Sequence, residues 1–213
     1  MYILSKQPSI ANQFIAELRS IQIQKDRMRF RKNLERLGEI LAYEISKSME
    51  YDIIELETPL AITKVEVPKQ QPVIISVLRA SLPFYQGFLN FFDKAESGFI
   101  GAYREEKGDE ISINLGYHAS PDLTGKEIII ADPMLATGKS IIKSIDTLLN
   151  HGLPKFIHIA SAFGAPEGVE YITNTLKTPH KIWLGALDER LNSQSYILPG
   201  LGDAGDLAFG EKL

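Results

Sequence analysis

The chain has 213 residues, 44% of them hydrophobic and 23% charged, with a formal net charge of −4. This is the profile of an ordinary globular protein, and an acidic total gives no bulk attraction for nucleic acid. There is no cysteine, which excludes disulfides, thiolate metal sites and cysteine nucleophiles. The opening MYILSKQPSI lacks the long apolar core of a signal peptide, and no apolar run approaches the ~18 residues that span a bilayer. A soluble cytoplasmic protein of one domain is expected, with a helical segment and arm over about 1–70, a core over about 71–187 and a cap over about 188–213.

From Ser9 to about Met49 the pattern is helical, with Phe14, Leu18 and Ile21 on one face and Leu34, Leu37, Leu41 and Ile45 on another. Between them lies a basic cluster of Lys25, Arg27, Arg29, Arg31 and Lys32, read either as a solvated helix face or as a contact for an anionic ligand or a second subunit. The character changes over residues 53–67, where Pro59 and Pro68 bracket the alternating LAITKVEV, which predicts a strand or hairpin near an edge. Val73–Val77 predicts a strand buried on both faces. A packed helix over Leu82–Phe92 follows, then strands at Ser97–Tyr103 and Ile111–Tyr117 joined by the charged REEKGDE.

The last third alternates between strand and helix. Strands are expected at Glu127–Ala131, Lys155–Ser161 and Lys181–Leu187, with helices over Gly138–His151 and from Pro166, a favoured first helical position. Alternating elements of this kind predict an α/β fold with a mainly parallel sheet flanked by helices. From Asp188 onward Gly, Pro, Asn and Asp abound without helical period, yet Tyr196, Ile197, Leu198 and Phe209 imply an ordered cap.

The stretch ADPMLATGKS, Ala131 to Ser140, ends like a nucleotide-binding P-loop. That motif needs a glycine five residues before Gly138, where this chain has Pro133, which has no N–H and a fixed φ. An ATP loop is excluded, and a phosphate loop survives. It lies between a strand and a helix, where the helix dipole, the hydroxyls of Thr137 and Ser140, and amides freed by Gly138 favour an anion. Asp132 at the strand end is placed either to accept bonds from sugar hydroxyls or to form a simple Asp-Pro turn. His118, His151, His158 and His180 are scattered without ligand spacing, which favours structural roles, as does the position of Trp183 in a strand.

IIIADPMLATGKS resembles the ribose-phosphate signature of the type I phosphoribosyltransferases, and its DPMLATG form is similar to that of the uracil phosphoribosyltransferases. VLRASLPFYQGF resembles that family's pyrophosphate-loop segment, GAYREE its second arginine segment, and SYILPGLGDAGDLAFG its base-binding hood. The resemblance implies a type I phosphoribosyltransferase fold with a C-terminal hood and an edge hairpin arm. It also implies transfer of phosphoribose from phosphoribosyl pyrophosphate (PRPP) to uracil, giving UMP and pyrophosphate.

Such a reaction develops positive charge on ribose while a strongly anionic group leaves, so it calls for fixed cations and Mg²⁺ held through the substrate and water. Arg79 and Arg104, at the ends of two predicted strands, are the candidates to grip pyrophosphate. Asp132, Pro133, Met134, Leu135, Ala136, Thr137, Gly138, Lys139 and Ser140 are expected, by the resemblance, to form the PRPP loop. By the resemblance, Ile197, Gly202, Asp203 and Ala204 contact uracil, and Asp203 also lies near PRPP. Tyr196 either packs on the ring or is a core aromatic. The resemblance further implies a homodimer or homotetramer and, in some members, activation by GTP.

The chain departs from the family pattern at Lys139, where a small residue is common, at Ser81, Pro83 and Gln86 beyond the first arginine, and at Leu207, where a basic residue is frequent. Lys139 either reinforces the phosphate grip or points to solvent. The rival from another class is a regulatory protein of this fold binding nucleotides and RNA, for which the 25–32 cluster is the basic face available.

Overall fold

The computed structural model describes residues 1–107 and 110–211, and the side chains of these except 102–115. In chain order the elements are β1 (Tyr2–Ile3), α1 (Ile10–Arg19), α2 (Arg27–Ser46), β2 (Tyr51–Glu57), β3 (Ile62–Pro68), β4 (Val73–Leu78) and α3 (Leu82–Leu89). There follow β5 (Ser97–Lys107), β6 (Glu110–Ala119), β7 (Glu127–Ala131), β8 (Met134–Leu135) and α4 (Lys139–Leu148). The chain closes with β9 (Phe156–Gly164), α5 (Pro166–Thr175), β10 (His180–Leu187), β11 (Arg190–Leu191), β12 (Ile197–Leu198) and α6 (Ala204–Phe209).

The main sheet runs β1-β10-β9-β7-β4-β5-β6, with β8 added beside β9. Its pairings are parallel except that of β6 with β5, so the expected mainly parallel α/β sheet is present. The central strands read as apolar runs because both faces are covered. Successive side chains point to opposite faces. Ile74, Ile129 and Ala160 therefore join α1, α2, α3 and α6 in one core, while Val73, Ile75, Ile128, Ile130, Ile157 and Ile159 join α4 and α5 in the other. Leu34, Leu37, Leu41 and Ile45 are fully buried, as their spacing predicts. Ile21 departs from its expected face: α1 ends at Arg19, and Ile21 is 73% exposed beyond it.

Trp183 is buried, and its indole N–H donates to His158 Nδ1 at 3.1 Å, while His158 Nε2 lies 3.1 Å from Glu127. His158 is thus a structural residue, as its lack of ligand spacing suggests. The basic cluster splits along α2. Asp26 caps the helix, Arg29 pairs with Glu17, Lys32 with Glu35, and Arg31 Nη1 donates to the Ala208 carbonyl at 2.7 Å.

The expected hairpin is β2–β3, a separate two-stranded sheet. Its register puts Asp52, Ile54, Leu56, Thr63, Val65 and Val67 on one face, and Tyr51, Ile53, Glu55, Glu57, Ile62, Lys64 and Glu66 on the other.

Candidate active site

The ends of β4 and β7, the 132–138 loop, the first turn of α4 and the segment 195–205 surround a cleft of about 260 Å³. Ligands of an open α/β sheet bind at this carboxyl end of the strands. Asp132, Met134, Leu135, Ala136, Thr137, Gly138 and Ser140 all line it. Asp132 Oδ1 accepts the Met134 N–H at 3.2 Å, which shapes the turn out of β7. Gly138 is the N-cap of α4 at φ 75°, a left-handed conformation for which glycine has no steric cost.

Thr137 Oγ1 accepts the Lys139 N–H at 3.4 Å, and the next amides of α4, with the Ser140 hydroxyl, stand at a positive helix end beside the cleft. The loop rests on α5: a Cβ at Gly168 would lie 2.2 Å from the Ala136 carbonyl oxygen. Two residues of the loop stand off the cleft. Pro133 is buried behind it, its carbonyl accepting the Phe163 N–H at 3.0 Å, and Lys139 is exposed outside the cleft wall.

Arg79 follows β4 and lines the cleft. Its Nη2 donates to Asp206 Oδ1 at 2.8 Å and to the Gly210 carbonyl at 3.0 Å. Its Nε is buried and has no hydrogen-bond partner among the described residues. Arg104 lies within β5 rather than at a strand end, because pairing with β6 carries β5 on to Lys107. Its side chain, like those of Glu105 and Glu106, lies outside the described residues.

The cap forms the other wall. Tyr196, 43% exposed, lines the cleft with Ile197, Gly202, Asp203, Ala204 and Gly205. The expectation of a tail without helix is corrected by α6. Asp203 Oδ1 accepts the Asp206 N–H at 2.9 Å, a side-chain cap, and Ala204 and Ala208 bury against the core. Six residues are too few to show a helical period. Asp188 ends β10 and pairs with Arg19 of α1, and both hold Gly200: Arg19 Nη1 donates to its carbonyl at 3.0 Å, and Asp188 Oδ2 accepts its N–H at 2.9 Å. Glu167 accepts the Leu191 N–H at 2.8 Å, and this bond chiefly holds its carboxyl below the usual carboxylate range. The sequence reading missed Arg19, Asp188, Glu167, Gly168 and Asp206. Asp206 alone carried a local signal, its place three residues after a capping Asp.

A family model described as uracil phosphoribosyltransferase matches residues 5–211. The chain belongs to the uracil phosphoribosyltransferase family. A uracil phosphoribosyltransferase of Porphyromonas gingivalis is 48% identical over 211 residues, covering 99% of this chain and 98% of its own. One of Pyrococcus furiosus is 40% identical over 190 residues, covering 87% and 81%. A solved structure of an Aquifex aeolicus protein superposes with a TM-score of 0.85 at 31% identity, covering 96% of each chain. The sheet, the hood over its carboxyl end and the hairpin arm are the type I phosphoribosyltransferase fold that the resemblance implies. Arg79, residues of the 132–140 loop and the turn at 202–205 line one cleft. Among the described residues no group of three or more His, Cys, Asp or Glu is placed to hold a metal ion, and no helix is long and apolar enough to cross a membrane.

Proposed function

We propose that this cleft transfers phosphoribose from PRPP to N1 of uracil, giving UMP and pyrophosphate in pyrimidine salvage. One observation carries the reading: the positive start of helix α4, an arginine and a glycine-rich backbone turn line a single cleft. The amides of Thr137, Gly138 and Ser140 with the Thr137 and Ser140 hydroxyls take the 5′-phosphate, and Asp132 takes a ribose hydroxyl. Arg79 and Arg104 take the pyrophosphate. Backbone groups of Ile197, Gly202 and Ala204 read the two carbonyls and N3–H of uracil, with Tyr196 beside the ring.

The anomeric C–O bond breaks, the bonding pair leaves on pyrophosphate, and N1 bonds to the same carbon as its N–H bond breaks and the proton passes to solvent. Asp203 offsets the charge developing on ribose. The donor set fits Mg²⁺ carried by substrate oxygens and water, since Asp132 and Asp203 are carboxylates on the cleft wall without a third clustered ligand among the described residues. These two would hold its water shell. When bound, the ion would neutralise charge on the departing pyrophosphate.

We place the reaction in the cytoplasm, because a substrate as highly charged as PRPP does not cross membranes. A second copy of the chain covers the apolar face of β2–β3, since an isolated two-stranded ribbon is marginal in water. Chromatographic detection of UMP and pyrophosphate from PRPP, Mg²⁺ and uracil, with and without GTP, tests the reading. Absence of UMP under both conditions contradicts it.

A further inference from the structure

Asp206 stands outside the cleft wall, which Asp203, Ala204 and Gly205 line. Its carboxylate nevertheless reaches Arg79 Nη2 at 2.8 Å, and the Gly210 carbonyl takes the same nitrogen at 3.0 Å. Two acceptors on one nitrogen fix the plane of the guanidinium, while the buried Nε keeps a donor without a partner among the described residues. Asp206 is also the residue whose N–H Asp203 caps. The first turn of α6 therefore carries the turn at 202–204 on one side and the holder of Arg79 on the other.

Resting on the function proposed above, we infer that Asp206 is a positioning residue: it orients Arg79 toward the pyrophosphate of PRPP, so that one helical turn sets both the base-reading wall and the pyrophosphate grip. The side chains of Arg79 and Asp206 are 33% and 36% exposed. A pair so accessible to water adds little to stability. Its worth lies in fixing the plane of the guanidinium where Arg79 lines the cleft, with Nη1, which neither acceptor takes, left for a substrate oxygen.

Isothermal titration of PRPP with Mg²⁺ into wild type, Asp206→Ala, Arg79→Ala and the double variant tests this, with Asp206→Asn as the conservative control. Asp206→Ala should weaken PRPP binding roughly tenfold, in the range for a hydrogen bond to a charged group. In the Arg79→Ala background the same change should cost less than about twofold, because a residue acting through Arg79 has nothing left to act on. Asn keeps the acceptor and should stay within about threefold of wild type.

Equal weakening in both backgrounds would overturn the inference, by showing that Asp206 serves the hood alone. So would unchanged binding by Asp206→Ala, or Asp206→Asn binding as weakly as Asp206→Ala. Wild type that binds no PRPP would sink the proposed function along with it; wild type that binds while Asp206→Ala is silent removes only the inference.

Discussion

Arg19 and Asp188, 169 residues apart, form a two-pronged ion pair, and each holds one backbone group of Gly200. The Asp188 side chain is only 3% exposed, and Arg19 also lies over the Phe163 ring at 4.6 Å from its centroid. The hood is thereby tied to α1 and to the end of β10. Removing one partner leaves the other charge uncompensated, which for a buried pair costs about 3 kcal/mol or more. Arg19→Ala should therefore lower the urea midpoint strongly. The double replacement Arg19→Met with Asp188→Leu should recover part of the loss, which equilibrium unfolding of the variants will check.

Asp203 has two roles in this account, a helix cap and a charge beside the reacting carbon. Asn caps as well as Asp. Asp203→Asn should thus leave the melting temperature within a few degrees while lowering kcat by roughly 10²-fold, as for loss of one electrostatic stabiliser of a transition state. A kcat within about threefold of wild type would reduce Asp203 to a cap. Steady-state kinetics and a thermal melt on one preparation decide between the two.

Lys139 is exposed and off the cleft wall. Its ammonium is then a solvated charge at the start of α4, and Lys139→Ala should leave KM for PRPP within about twofold. A rise in KM with kcat unchanged would show that the side chain reaches the phosphate.

One face of the β2–β3 ribbon carries Ile54, Leu56, Val65 and Val67, with Asp52 and Thr63 at its margins. A charge placed among these four apolar side chains would have to be buried under the second copy proposed above. Val65→Glu should therefore lower the sedimentation coefficient from that of wild type, whereas Lys64→Glu, on the opposite face, should not. An unchanged sedimentation coefficient for Val65→Glu would remove the hairpin from the interface.

Glu17 accepts from Asn33, Gln13 and Arg29, and these bonds lower its pKa to about 2. A carboxyl whose folded pKa is depressed contributes stability above its unfolded value near 4.5 and loses it as pH falls toward about 2. Glu17→Gln should therefore lower the urea midpoint at pH 7, and the gap from wild type should narrow below about pH 4.5. A gap independent of pH would mean that the charge of Glu17 is not what counts.

The elements that local pattern determines were legible in the chain. Strand β7 and the start of α5 fall at Glu127–Ala131 and Pro166 as expected, because an apolar β-branched run and a proline at a helix start are local signals. Strand β9 runs to Gly164 instead of stopping at Ser161, since it continues to pair with β8 and β10. That extension comes from neighbours distant in sequence. The phosphate loop and the hood turn could be read from motif. The residues that hold them in place could not, because Arg19, Glu167 and Asp206 act through partners that only the fold brings near.

A cleft that joins PRPP to uracil must choose uracil when other bases compete for it. The protein is given PRPP and Mg²⁺ with equal uracil, cytosine and hypoxanthine, and the nucleotides formed are separated and counted. Backbone groups matched to two carbonyls and an N3–H predict UMP as the dominant product, with CMP and IMP lower by roughly 10²-fold or more, because the wrong base leaves buried polar groups unpaired. No nucleotide at all, or IMP or CMP equal to UMP, would contradict the account.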